Sequence, residues 1–116
     1  MDPFLLIVDI AIKPGRLEDF KAAAATLREL SSSEPGTLRY DWYISEDGTR
    51  QVTVEEFADS AAFVAHNEHA APAVPALLET ADVTAAQVLG DVDDEARERL
   101  KALAAVHFGF EGGLDR

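Results

Sequence analysis

Two of the chain's three histidines, His66 and His69, are three positions apart in the segment FVAHNEHA (residues 63–70), with Asn67 and Glu68 between them. Imidazoles and carboxylates are the side chains from which metal sites and general bases are built. Three hypotheses therefore compete for this segment. It is half of a metal site, a general base with its helpers, or a polar patch on a helix.

The metal hypothesis requires more ligands than the segment supplies. Histidines at i and i+3 of a helix can face one ion, but a catalytic zinc site needs three protein ligands. The spacing also differs from the i,i+4 pair of the His-Glu-x-x-His helix, and His107 lies about forty residues further on. There is no cysteine and no Gly-rich phosphate-cradling loop. We therefore predict no metal and no cofactor.

The general-base hypothesis rests on the direction in which His66 points. Phe63, His66, Asn67 and Ala70 share one helical face by their 3-4 spacing. Because Phe63 and Ala70 favour the interior, His66 is expected to face the sheet or a pocket, where a neutral imidazole can accept a proton. We predict His66 as the catalytic base, with Phe63 and Asn67 beside the substrate. The alternative is a partly buried histidine that caps or packs. His69 is expected at the helix end, where its charge suits the dipole.

The segment that contains Tyr40 and Trp42 alternates like a strand, which places these two aromatic residues on one face with Leu38 and Ile44. That face is either plain core or the wall of a flat aromatic pocket, and we include Tyr40 and Trp42 among the candidate substrate-binding residues. Tyr43 points to the opposite face. It lies at a subunit interface or, if that face lines the cavity, donates to an oxyanion.

Glu55 is the last candidate substrate-binding residue. It cannot form a carboxylate pair with Glu56, because adjacent strand residues point to opposite faces. Glu55 shares its face with Phe57. Its expected role is a salt bridge to Arg39 or Arg50.

The elements that position these residues follow from the periodicity of apolar residues and from turn signals such as Asp47-Gly48. The order is β-α-β-β-α-β with a terminal helix, which is typical of a ferredoxin-like α+β fold with an antiparallel four-stranded sheet. The predicted strands are 4–12, 37–45, 50–57 and 81–89, and the predicted helices are 17–30, 61–69 and 93–107.

The chain divides into a ferredoxin-like domain, 1–90, and a C-terminal helix and tail, 91–116, that pack on the domain or on a partner. Two helices cover only one face of such a sheet. A second copy of the same sheet is the expected cover for the other face, so we predict a twofold homodimer. Three apolar anchors in the tail are expected to close the cavity mouth or to reach across the dimer. They are Phe108, Phe110 and Leu114.

The net charge of −12 disfavours nucleic acid and anionic membrane surfaces as partners. The apolar run 4–12 follows no basic residue, is interrupted by Asp9 and is too short to span a bilayer. We therefore expect no membrane segment and a cytoplasmic location.

Three segments, taken in order, resemble the antibiotic biosynthesis monooxygenase-like (ABM) family of the dimeric α/β-barrel superfamily. They are IKPGRLEDFKAAAATL (12–27), SEPGTLRYDWY (33–43) and VEEFADSAAFVAH (54–66). The family shows Lys-Pro-Gly after a strand, Glu-Pro-Gly-x-Leu-x-Tyr at a strand start, Glu-x-Trp at a strand end and Ala-His on a helix. This chain departs at Phe57, where the family has Trp, and at Glu56, where a basic residue is usual.

The resemblance implies a small dimeric barrel. It also implies a cofactor-independent monooxygenase that acts on a small aromatic or quinol-type substrate with O2. His66, at the family's Ala-His position, would then be the base. Two alternatives remain open, since the family includes proteins of no known activity. One is a non-oxygenase, small-ligand-binding or isomerase-like protein. The other is a structural dimer without catalysis.

Overall fold

The computed structural model describes residues 2–115 and contains one open sheet of five strands in the order β2-β3-β1-β4-β5. The first four strands pair antiparallel, and β5 pairs parallel to β4. A 3-10 turn, Ala71–Ala73, precedes α3, and another, Lys101–Leu103, follows α4. The elements are β1 (Phe4–Ile12), α1 (Leu17–Ser31), β2 (Thr37–Ile44), β3 (Arg50–Phe57), α2 (Ser60–Ala70), α3 (Val74–Leu78), β4 (Ala81–Leu89), α4 (Asp94–Leu100) and β5 (Val106–Phe108).

The predicted ferredoxin-like α+β fold is confirmed, but the C-terminal segment differs from the prediction. The last helix ends at Leu100 instead of continuing to His107. Ala104 adopts a left-handed backbone conformation, with φ 52°, and this turns the chain back toward the sheet. His107 therefore lies in β5, opposite Val88, and the sheet is mixed and five-stranded. Within one chain it is open and forms no closed barrel.

The core lies between the sheet and the helices. Alternate residues of β1 are buried on the helix side, as the period of two requires. The inward stripe of α1 and the ring of Phe63 on α2 meet them there. Each large apolar side chain that leaves water in this way contributes roughly 1.5–3 kcal/mol. The buried apolar residues of these elements are Phe4, Leu6, Val8, Ile10, Ile12, Phe20, Ala24, Leu27, Phe63 and Ala70.

The opposite surface of the sheet carries Leu5, Ile7, Val52 and Val54, all half-buried. In the described part of the chain the helices pack on the other side, so we call this surface the helix-free face. A contiguous set of β-branched and leucine side chains on one sheet face is an interaction surface in most soluble proteins.

Two turns set the register and spacing that the candidate site needs. The β2–β3 hairpin places Tyr40 opposite Glu55 and Trp42 opposite Thr53. The turn before β2 lies against α2. A Cβ atom at Gly36 would come within 2.5 Å of the Ala62 Cβ, so only glycine permits this approach.

Candidate active site

A cavity of about 530 Å³ lies between the sheet and the helices, within the usual range for small-molecule sites. Its walls are mainly aliphatic, and its polar side chains are concentrated at the β2–β3 end. The aliphatic wall includes Leu6, Val8, Ile10, Leu27, Val74 and Leu77. The polar end is formed by Tyr40, Trp42, Thr53, Glu55 and His66.

His66 occupies the inward face of α2 and is only 6% exposed. Its Nδ1 lies 2.7 Å from Glu34 Oε1 and 3.3 Å from Ser31 Oγ. Its Nε2 lies 3.6 Å from Glu55 Oε1, which is longer than a hydrogen bond. The rings of Tyr40 and Phe57 contact the imidazole, with centroids 5.0 and 5.2 Å away. One nitrogen is therefore tied to a carboxylate, and the other faces the polar end of the cavity.

Glu34 is the functional candidate that the sequence analysis missed. Burial alone would raise its pKa, but hydrogen bonds from His69, His66 and Thr37 outweigh burial and lower it. At neutral pH Glu34 is therefore a carboxylate, which only accepts hydrogen bonds. Because Glu34 can only accept a hydrogen bond, the hydrogen of the neutral His66 ring lies on Nδ1. The lone pair of Nε2 is therefore on the cavity side. The available sequence signal was the Glu-Pro-Gly turn itself.

Glu55 is buried, and its Oε2 accepts a hydrogen bond of 3.1 Å from Thr53 Oγ1. Burial raises the pKa of Glu55 to about 8; the Thr53 hydrogen bond opposes this rise, and the negative charge of Glu34 adds to it. Glu55 is therefore mostly a neutral carboxylic acid at pH 7, with one O–H to donate. A perturbed carboxyl group beside an imidazole in a cavity is a typical arrangement of functional sites.

The predicted salt bridge from Glu55 to Arg39 or Arg50 is wrong. Both arginines lie on the helix-free side of the sheet, where Arg39 is 3.7 Å from Asp41 and Arg50 is 3.6 Å from Asp9. The pleat separates them from Glu55, since neighbouring strand positions point to opposite faces.

Tyr40 and Trp42 both line the cavity, with their rings edge to face at 5.4 Å. Burial raises the pKa of Tyr40, and the charges of Glu55 and Glu34 raise it further, so the phenol keeps its proton as a donor. Trp42 Nε1 is buried and has no hydrogen-bond partner within residues 2–115. A buried indole N–H normally has a partner, so an unpaired donor at this position is unusual.

Of the remaining candidate residues, two lie at the cavity and one lies on the other side of the sheet. Phe63 is buried beside His66 and lines the cavity. Asn67 lies at the cavity edge, where its Oδ1 accepts a 3.0 Å hydrogen bond from Arg99. Tyr43 is 59% exposed and points away from the cavity, on the same side of the sheet as Val52. The structure thus gives Tyr43 no contact with the polar end of the cavity.

The sequence predicted the position of His69 at the end of α2 but not its partner. It lies in the last turn of α2, as expected, and its side chain is 42% exposed. Its Nδ1 is 2.6 Å from Glu34 Oε2. The two histidines of the FVAHNEHA segment therefore bind the two oxygens of one carboxylate.

The end of α4 and the turn after it also line the cavity, through Arg99, Ala102 and Leu103. The tail anchors Phe108, Phe110 and Leu114 are not among the residues that line this cavity, and whether the tail reaches across a dimer stays a prediction. Phe108 and Phe110 instead line a separate groove beside the N-terminal end of β1, with Gly90.

Within residues 2–115, no group of three or more His, Cys, Asp or Glu side chains is arranged to hold a metal ion. None of the helices in that range is long and apolar enough to cross a membrane.

The chain is thus a small α+β protein with a ligand-sized cavity, and the buried His66 lies at the polar end of that cavity. The chain belongs to the antibiotic biosynthesis monooxygenase family, whose model matches residues 3–73, more than half of the sequence. No curated protein matches the chain in sequence. The two departures from the family pattern lie apart, since Phe57 packs on His66 in the core and Glu56 faces the other side of the sheet.

Solved structures show the same fold. MupZ from Pseudomonas fluorescens superposes with a TM-score of 0.88 at 24% identity, covering 100% of this chain and 96% of its own. A point mutant of SnoaB, a cofactor-independent oxygenase from Streptomyces nogalater, gives 0.69 at 16% identity and covers 80% and 96%. Rv0793 from Mycobacterium tuberculosis gives 0.69 at 23% identity and covers 80% and 98%. At these identities the likeness concerns the fold.

Proposed function

We propose that this protein is a cofactor-independent monooxygenase of a small phenol- or quinol-type aromatic. The observation that carries the proposal is His66, whose Nδ1 is held by Glu34 while Nε2 faces the polar end of the cavity. Membership of the monooxygenase family supports it, as does the likeness to SnoaB, a cofactor-independent oxygenase.

In this proposal His66 Nε2 accepts the hydroxyl proton of the substrate and generates an electron-rich phenolate. The phenolate passes an electron to O2, and the two radicals combine at carbon. Loss of water then gives the oxidised product. The substrate loses two hydrogens and gains one oxygen atom, while the second oxygen atom leaves as water. The substrate therefore supplies all the electrons.

The other polar groups stabilise charge that develops on oxygen. The neutral carboxyl of Glu55 and the phenol of Tyr40 are donors at the same end of the cavity. Such donors have the most effect where water is excluded, and the aliphatic wall beside them favours a dry site.

Oxygen consumption tests the proposal. We expect chelator-treated, flavin-free protein to consume one O2 per product with at least one member of a quinol, naphthol and anthrone panel. With ¹⁸O2, one labelled atom should enter the product. Tyr43→Phe, which changes a side chain outside the cavity, should match the wild-type rate. Absence of uptake above the protein-free rate across the panel, or uptake that needs added flavin or metal, contradicts the proposal.

A second candidate function is favoured by one specific contact. Glu55 presents a neutral carboxyl 3.6 Å from His66 Nε2, which places a proton donor and a proton acceptor in one cavity. Such a pair can move a proton between two atoms of a substrate without O2, as in an isomerase. Product formation under argon, with deuterium from D2O bound to carbon, identifies this reaction. A strict requirement for O2 excludes it.

We also propose that a second copy of the chain covers the helix-free face, in line with the generally dimeric nature of the family.

Ile7→Asp places a carboxylate at the centre of that face. A twofold interface would bury two unpaired charges, which should weaken association by about 3 kcal/mol or more. Sedimentation equilibrium should give a dimer for the wild type and a monomer for Ile7→Asp. Ala25→Asp, on the exposed side of α1, is the charge-matched control. A monomeric wild type at micromolar concentration contradicts this proposal.

A further inference from the structure

Glu34 binds both histidines of α2 at once. Oε1 accepts from His66 Nδ1 at 2.7 Å and from Thr37 Oγ1 at 2.9 Å, and Oε2 lies 2.6 Å from His69 Nδ1. The imidazole of His66 is nearly buried, whereas that of His69 is 42% exposed. One carboxylate thus links the cavity imidazole to an imidazole in contact with solvent.

The carboxylate cannot move away from this position easily. Glu34 is held in the turn between α1 and β2 by backbone hydrogen bonds to Ser31 and Thr37. The close approach of Gly36 to Ala62 fixes that turn against α2. The Glu34 side chain is only 10% exposed, so protein groups and not water must stabilise its charge.

His69 makes the largest single contribution to keeping Glu34 ionised. Burial raises the pKa of Glu34, and among the groups that lower it the hydrogen bond from His69 comes first, ahead of those from His66 and Thr37. Without His69, Oε2 would have no donor among the described contacts of this group. Protonation of the buried carboxyl would then be favoured as the pH falls.

The protonation state of Glu34 decides which nitrogen of His66 can act as a base. An ionised Glu34 requires a hydrogen on Nδ1, which leaves the lone pair of Nε2 on the cavity side. A protonated Glu34 donates to Nδ1 instead, and the neutral ring then carries its hydrogen on Nε2. In that tautomer His66 cannot accept a proton from a substrate in the cavity.

We propose that His69 is a positioning residue for the base: through Glu34 it keeps the proton-accepting nitrogen of His66 on the cavity side. The other groups around the pair are the hydroxyls of Ser31 and Thr37 and the side chains of Tyr40 and Glu55. The tautomer of His66 is a property of the free protein. Its consequence for turnover rests on the proposed function.

Ring ¹⁵N chemical shifts test the tautomer directly and need no substrate. In the wild type we expect the neutral His66 ring to carry its hydrogen on Nδ1 at both about pH 6 and about pH 8. His69→Ala should shift a measurable fraction to the Nε2–H tautomer near pH 6 and return to the wild-type state near pH 8. His69→Asn, whose amide replaces the Nδ1–H donor, should resemble the wild type. His107, on β5, is an internal reference that should not change.

Turnover supplies the second readout. His69→Ala should lower kcat/KM near pH 6 in proportion to the fraction of His66 that has switched tautomer, about twofold if half of the rings have switched, and should leave it near the wild-type value above pH 8. That is well short of the roughly 10⁴-fold lost when a catalytic histidine is held wholly in the wrong tautomer. His69→Asn should restore most of the rate. A wild-type ¹⁵N pattern in His69→Ala near pH 6, or a loss equal at all pH values, overturns the proposal. If no substrate is oxidised, the ¹⁵N shifts still decide the matter, so the two failures remain distinguishable.

Discussion

Replacing His66 by alanine is expected to lower kcat/KM for the aromatic substrate by about 10²- to 10⁴-fold, the usual contribution of a positioned general base. The physical reason is the absence of another neutral base at the polar end of the cavity. Glu55 keeps its proton to about pH 8, and Tyr40 keeps its proton throughout the working range. Steady-state oxygen uptake between pH 6 and about pH 7.5, where Glu55 is still mostly protonated, measures the effect.

Two further variants separate lost chemistry from lost structure. His66→Gln keeps a polar side chain of similar length between Glu34 and Glu55, and it should be as inactive as the alanine variant. Added imidazole should recover part of the activity in His66→Ala by filling the vacated space, and it should do nothing for the wild type. Turnover within about threefold of the wild type, in a variant that unfolds at a normal temperature, excludes His66 as the base.

Replacing Glu55 by glutamine is expected to flatten the pH dependence of stability between about pH 4.5 and pH 8. The folded state holds the Glu55 proton up to about pH 8, whereas the ordinary pKa of the group is 4.5. In this window the native state binds more protons than the unfolded state, so wild-type stability falls as the pH rises. The amide that replaces the carboxyl cannot ionise. The advantage of Glu55→Gln should therefore grow by up to about 1.4 kcal/mol per pH unit and reach a few kcal/mol near pH 8.

Urea unfolding at several pH values from 5 to 8.5 measures this difference. Glu56→Gln, one residue further on and on the opposite face of the sheet, is the matched control. Parallel stability curves for wild type and Glu55→Gln would show that Glu55 ionises in the fold as it does in the unfolded chain. Activity gives an independent readout, because the amide keeps donating at alkaline pH while the wild-type carboxyl does not.

Elements with a strong local period were predictable from the sequence. The alternation of β1 and β2, the Asp-Gly hairpin and the 3-4 stripe of α2 each repeat a pattern that burial imposes on a strand or a helix. The inward direction of His66 follows from the same stripe, since Phe63 and Ala70 share its face. These features depend on residues close together in the chain.

The missed features depend on contacts between distant segments. Glu34 lies in a turn, where no period gives its direction, and it reaches His66 because Gly36 lets that turn approach Ala62. β5 has three residues and is defined by its pairing with β4 rather than by a pattern of its own. The predicted partners of Glu55 were wrong because Arg50 is an odd number of residues away on the same strand, and because Arg39 pairs with Glu56 in a register that the sequence does not fix.

The cavity is assembled from two stretches of the chain that meet only in the folded protein. Its polar end, with Tyr40, Glu55 and His66, falls within the family match at residues 3–73, whereas other lining residues, among them Asp82, Arg99 and Leu103, lie beyond it. Asp82 and Leu103 make none of the hydrogen bonds of His66, so substitutions there change the shape of the cavity without removing those contacts. Under the proposed function, such substitutions should alter which substrates fit more than they alter the rate of proton transfer.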